Sequence, residues 1–119
     1  MPGKPLGDRG EELAARFLAQ TGWSILHRNY RVGRNEIDLV ARRDGVVAFV
    51  EVKTRRGLGC GHPLESITPR KQREIARVAS VWIGTHGAPG DSYRFDAVAI
   101  LLAPGSPPLI EHTGDAWGY

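Results

Sequence analysis

Four side chains within one short stretch could do chemistry together: Glu36 and Asp38, then Glu51 and Lys53. Between them stands Asp44-Gly45, the dipeptide best suited to a two-residue turn with positive φ at its central residues, and β-rich runs flank it. That pattern predicts a tight antiparallel hairpin. If Arg43 pairs with Val46, counting back pairs Val40 with Phe49, Asp38 with Glu51 and Glu36 with Lys53. Directly opposed side chains share a face and lie about 5 Å apart at Cβ, so two carboxylates meet on one surface with a lysine beside them. Alternation agrees with that register: Val50 and Val52 point one way and Glu51 and Lys53 the other, while Ile37 and Leu39 oppose Glu36 and Asp38.

Like charges facing one another destabilise a sheet. A carboxylate left unpaired among Val, Ile, Leu and Phe costs on the order of several kcal/mol. A divalent cation would offset the repulsion, since Mg²⁺ favours one or two carboxylates together with water and substrate phosphate. Lys53 and nearby arginines, forming a structural ion cluster, would offset it as well. Spacing alone leaves both readings open.

The hairpin needs elements around it. Asp8 is the predicted N-cap of a helix running to about Gln20 and ended by Gly22, with Leu13, Ala14, Phe17 and Leu18 as its buried stripe. Glu11 falls on the margin of that stripe, where a carboxylate could reach over the sheet or simply complement the helix dipole. Trp23 to Arg31 is expected to be a strand packing Trp23, Ile25 and Leu26, with Arg28, Arg31 and Arg34 around its end. After the hairpin, Gly57 to Pro63 holds Cys60 and His62 in a glycine-rich loop, either a substrate entrance or a plain connector. Thr68-Pro69 opens a second helix to about Ile83, with Ile75, Val78, Ala79 and Trp82 as core. Arg70, Arg73 and Arg77 lie on another of its faces, and Lys71 and Gln72 occupy the first turn, where exposed amides attract phosphate. A solvated basic face is the ordinary alternative. A strand from Ser92 to Ala103, a Pro/Gly turn and a short edge strand from Leu109 to His112 complete the chain, with the tail unassigned.

At 119 residues the chain has room for one core, so residues 1–119 are expected to form a single domain. No apolar run approaches the roughly 20 residues of a membrane span. The opening Met-Pro-Gly-Lys-Pro-Leu-Gly lacks the apolar centre of a signal peptide, and a cytoplasmic location is expected. The single cysteine excludes an intrachain disulfide, and the four histidines are too scattered in sequence for a zinc motif. A net charge of +3 and a preponderance of arginine, with lysine only at positions 4, 53 and 71, point weakly to a polyanionic partner.

The order of elements, with Asp38 on one strand and Glu51-Val52-Lys53 on the next, resembles the PD-(D/E)xK nuclease core of restriction endonucleases and archaeal Holliday junction resolvases. More specifically, Gly7-Asp8-Arg9-Gly10-Glu11, Arg28-Asn29-Tyr30, Asn35-Glu36-Ile37-Asp38-Leu39-Val40, Phe49-Val50-Glu51-Val52-Lys53-Thr54-Arg55 and Thr68-Pro69-Arg70-Lys71-Gln72-Arg73 resemble the YraN-like family of small bacterial proteins. The resemblance covers nearly the whole chain. It implies an α/β fold with a restriction-endonuclease-like core, a central mixed β-sheet flanked by helices in the order α-β-β-β-α-β-β. It also implies Mg²⁺ or Mn²⁺ held by Asp38, Glu51 and Glu11, with Lys53 orienting the attacking water; Glu36, opposite Lys53 in the expected register, joins the catalytic set. Two departures stand out: no proline precedes Asp38, and Ala76 breaks the Gln-x-x-x-Tyr signature that Gln72 would begin, so Gln72 carries over only as a phosphate contact.

The reading is a nucleic-acid-binding protein, a divalent-metal-dependent endonuclease on DNA, with branched DNA as one candidate substrate. Arg55, Arg70, Lys71, Gln72, Arg73 and Arg77 are the expected phosphate contacts. A homodimer enters by analogy with small nucleases that cut both strands. Two alternatives come from other classes: an inactive nucleic-acid-binding or accessory module that retains the fold, and a protein-interaction domain using an exposed sheet edge.

Overall fold

Asp44 and Gly45 carry φ of 51° and 76°, the paired positive values that a tight two-residue hairpin turn requires. The strands they join are β2 (Asn35–Arg43) and β3 (Val46–Arg56) of a computed structural model that describes residues 6–57 and 63–118. Cys60 and His62 lie outside the described residues. Around this hairpin a single mixed sheet is laid out in the order β1-β2-β3-β4-β5, where β1 is Ser24–Val32, β4 Ser92–Leu102 and β5 Leu109–Trp117. Strands β1, β2 and β3 form an antiparallel meander, β4 lies parallel to β3, and β5 returns antiparallel to β4.

A parallel neighbour demands a crossover, and residues between β3 and β4 supply it as a short 3-10 turn (Pro63–Ser66) and helix α2 (Pro69–His86). Thr68 caps α2 by accepting a hydrogen bond from the Lys71 backbone N–H at 3.2 Å, with Pro69 in the first turn. Ile75, Val78, Ala79 and Trp82 are its buried face. They pack on Val40, Val47, Phe49, Phe95 and Ala97 of the sheet. The opposite face is covered by α1 (Leu6–Gln20), whose Ala14 and Leu18 join Leu39, Ala41, Ala48, Val50, Val98 and Ile100. With a helix on each face, the central strands are apolar on both sides, which makes a carboxylate there conspicuous. Among the described residues two are buried: Glu51 on β3 and Asp96 on β4.

Asp96 is fully satisfied. It accepts from His112 at 2.7 Å, from the Asp115 backbone N–H at 3.0 Å and from Arg94. Burial works to raise its pKa, but the hydrogen bonds from His112 and Asp115 and the Arg94 guanidinium outweigh it and leave the carboxyl below its usual range. These bonds fasten β5 to β4. Arg94 and Arg43 also lie over the Trp23 ring, 5.1 and 5.4 Å from its centroid.

Several boundaries differ from expectation. Helix α1 begins at Leu6, so Asp8 sits in its first turn instead of capping it. Helix α2 continues past Ile83 to His86. Strand β5 runs on from His112 to Trp117, because Asp96 anchors its second half and Trp117 stacks on Phe95 with 5.3 Å between centroids. Two of the scattered histidines meet in space: His27 and His86 lie 4.7 Å apart, and Trp82 Nε1 donates to His27 Nδ1 at 2.8 Å.

Candidate metal and nucleic-acid site

The hairpin register holds from Arg43↔Val46 through Val40↔Phe49 to Leu39↔Val50, and there the backbone ladder ends. The expected backbone pairs Asp38↔Glu51 and Glu36↔Lys53 do not form. Instead the Val52 N–H donates to Asp38 Oδ2 at 2.8 Å, so a side chain replaces a backbone acceptor and the two strands part. Alternation fails at the same point. Ile37 packs beneath α2 while Leu39 packs beneath α1, whereas strict alternation would place both on one face. The sheet opens as a fork at Asp38, and carboxylates enter it from several elements.

Glu11 arrives from α1. Its helix lies unusually close to β3 because residue 10 is glycine: a Cβ there would fall 1.8 Å from Thr54 Oγ1. Glu11, Glu36 and Asp38, each half-buried, offer oxygens that lie within 4.8 Å of one another. Burial first, then the negative charge of Asp38, raises the Glu11 pKa to about 7, with Glu36 adding to the rise and the hydrogen bond from Asn29 opposing it. Glu51 arrives from β3 on the face of Phe49, beneath α2, and is 2% exposed. Burial and then the charge of Asp38 hold its carboxyl well above the usual range, while Lys71 and Lys53 pull it down by smaller amounts. Its Oε1 has no hydrogen-bond partner among the described residues.

All the ligand atoms on offer are carboxylate oxygens, the donor set preferred by hard cations such as Mg²⁺ and Mn²⁺ over softer metals. Three carboxylates gathered at Asp38, with a buried Glu51 oxygen beside that same Asp38, form an arrangement that such a cation satisfies. The residues therefore fit the group.

The remaining candidates divide by position. Lys53 lies two residues beyond Glu51 on the same strand face, and Lys71 reaches toward Glu51 from the first turn of α2. Arg55 continues that face and is half-buried. Arg70, Arg73 and Arg77 are exposed on α2, with Arg70 3.5 Å from Glu74. The Gln72 amide nitrogen, expected to meet a phosphate, donates instead to Ile67 O at 3.1 Å and ties α2 to the turn before it. Glu36, expected opposite Lys53, is bonded on its other side by Arg31 Nε at 2.8 Å and by Asn29 Nδ2 at 3.3 Å. The sequence reading gave Asn29 no chemical part. The signal available was an amide inside a strand pattern, at a position whose φ proves to be 51°.

The fold defines a class, the restriction-endonuclease-like α/β domains. The structure of Hjc, a Holliday junction resolvase from Archaeoglobus fulgidus, matches with a TM-score of 0.50 over 88% of this chain and 75% of that one, at 18% identity. Within that class the chain belongs to the YraN-like proteins described as Uncharacterised protein family UPF0102, which matches residues 10–100. A UPF0102 protein of Nocardia farcinica is 50% identical over 107 residues, covering 90% of this chain and 84% of the relative. One from Rhodococcus jostii is 47% identical over 112 residues, 94% and 95% of the two chains. Among the described residues no helix is long and apolar enough to cross a membrane.

Proposed function

We propose that this protein is a divalent-metal-dependent nuclease, a single domain that binds DNA in the cytoplasm and hydrolyses its phosphodiester bonds. The observation that carries the reading is Glu51: a buried carboxylate whose Oε1 has no hydrogen-bond partner among the described residues, set against Asp38 where the sheet opens. Asp38, Glu51 and Glu11 would hold Mg²⁺ or Mn²⁺, with Glu36 beside them. A bound cation of this kind supplies Lewis-acid polarisation of a phosphoryl oxygen and a lowered pKa for water.

The chain's own residues do the rest. Lys53 places positive charge where negative charge develops on the pentavalent phosphorus. Lys71 acts on Glu51 from a helix N-terminus, where backbone amides favour phosphate. Arg55 and the exposed Arg70, Arg73 and Arg77 would meet phosphates flanking the reacting one. Branched DNA is the first substrate to try, since the structural neighbour is a resolvase of Holliday junctions.

The test is cleavage of a panel of branched, duplex and single-stranded substrates with Mg²⁺ and Mn²⁺, beside calorimetry of Mn²⁺ binding. Expected are metal-dependent cleavage by the wild type and loss of both cleavage and Mn²⁺ affinity in Asp38→Ala. Wild-type protein that binds nucleic acid but cleaves nothing with any divalent metal would replace the enzyme with a binding module. Unchanged Mn²⁺ binding in Asp38→Ala would remove the metal site.

A further inference from the structure

We infer that Asn29 is a positioning residue for the cation site, holding Glu11 and Glu36 at the mouth of the fork without neutralising them; the inference rests on the reading of that cluster as a metal site. Asn29 lies on β1 between Arg28 and Tyr30, which pair with Leu39 and Ile37, so it stands across from Asp38. Its Nδ2 donates to Glu11 Oε1 at 2.9 Å and Oε2 at 3.2 Å, and to Glu36 Oε1 at 3.3 Å. Every partner is an acceptor, which settles which end of the amide faces them. Helix α1 and strand β2 are thereby joined through one side chain from a third element.

The backbone is arranged for this contact. Asn29 has φ of 51°, a left-handed conformation that is uncommon for residues other than glycine and that asparagine tolerates better than most.

The chemistry of the donor matters as much as its place. An arginine or lysine bridging Glu11 and Glu36 would cancel charge that a cation needs, and would occupy the cation's position. An amide has no net charge, so it opposes the repulsion between the two glutamates without adding to the one guanidinium already present, Arg31, whose Nε lies 2.8 Å from Glu36 Oε2. Glu51 supplies a second and separate indication that a ligand belongs here, because its buried Oε1, beside Asp38, has no hydrogen-bond partner among the described residues. Such outer contacts orient metal ligands, and losing one commonly weakens metal affinity about 10- to 100-fold.

Asn29→Gly removes the amide and preserves the positive φ, so it separates the two roles the residue could have. On the full chain at about pH 8, above the Glu11 value of about 7, Mn²⁺ binding is measured by calorimetry and folding by thermal melting. The inference expects a cooperative melt and a Kd for Mn²⁺ raised about 10- to 100-fold over wild type. A Gly variant with the wild-type Kd overturns it, because a residue needed only for its backbone conformation would be replaced silently by glycine. Wild-type protein that binds no Mn²⁺ overturns the cation-site reading, and this inference falls with it. The two failures are told apart by the wild-type titration.

Discussion

Glu51 is a carboxyl group in a place where its ionised form is disfavoured. Burial and the charge of Asp38 raise its pKa, as they raise that of Glu11 to about 7 from the ordinary 4.5. The folded protein then keeps protons that the unfolded chain releases above its ordinary carboxyl pKa, and the stability this confers is lost as pH rises through the folded values. Without metal, the melting temperature should therefore fall between about pH 5 and pH 8, and Mn²⁺ should restore it at the upper end, where protons compete with it less. A melting temperature that rises over that interval in the absence of metal would refute the assignment. Glu51→Gln keeps the shape and removes the ionisable group, so the metal-free protein at about pH 8 should be as stable as wild type or more so, by roughly 1 kcal/mol, while Mn²⁺ affinity drops. Thermal melts with and without Mn²⁺ check both halves. Lys53 is tested by Lys53→Ala. A group acting mainly on the transition state should leave DNA and Mn²⁺ affinity within about twofold while lowering the cleavage rate at least 100-fold. Parallel loss of stability and activity would mark Lys53 as a counter-ion of the carboxylates.

Among the elements, the close seating of α1 on β3 decides whether Glu11 reaches the fork at all. Gly10→Ala would place a methyl group 1.8 Å from Thr54 Oγ1 and 3.1 Å from Thr54 Cβ, so hydroxyl rotation alone cannot clear it. The helix must lift, at a cost of about 1–3 kcal/mol, and Glu11 is carried away with it. Weaker Mn²⁺ binding should accompany the lower melting temperature, and Thr54→Ala added to Gly10→Ala should recover part of both. A double variant no better than Gly10→Ala would place the strain elsewhere. Strand β5 depends on Asp96 in a comparable way. Asp96→Ala strands the half-buried Arg94 and His112 and should destabilise the fold by about 3–5 kcal/mol, with little bearing on Mn²⁺ affinity among molecules that remain folded.

For the whole molecule, charge is arranged about the opening in the sheet: carboxylates within it, Lys53, Arg55 and Lys71 on its α2 side, and Arg70, Arg73 and Arg77 on the exposed helix face. If that helix face meets the DNA backbone, Arg73→Ala should weaken binding to all sequences alike and reduce the slope of log affinity against log salt by roughly one. Measuring affinity at several salt concentrations decides the matter, and an unchanged slope returns Arg73 to solvent.

How much of this was legible in the sequence depended on the range of the interaction. The Asp44-Gly45 turn, the Thr68 cap, the buried face of α2, Ala14 and Leu18 of α1 (though not Phe17, which is half-buried and outside both core clusters) and the register near the turn follow from local preferences and periodicity, so each could be read from a few adjacent residues. Five strands in a mixed sheet between two helices followed from element order together with the family resemblance. The end of the ladder at Leu39↔Val50 did not. Counting from the turn assumes that backbone pairs with backbone, whereas Asp38 replaces that partner with its side chain, and nothing in the spacing indicates the exchange. Glu36 turning to Arg31 and Asn29, and β5 extending to Trp117 through Asp96, likewise join groups on separate elements. Side-chain identities in the sequence determined which carboxylates and bases were available. The fork, where α1, β1, β2 and β3 converge, decided which of them meet, because contacts between distant segments are set by how whole layers pack and not by residue spacing along the chain.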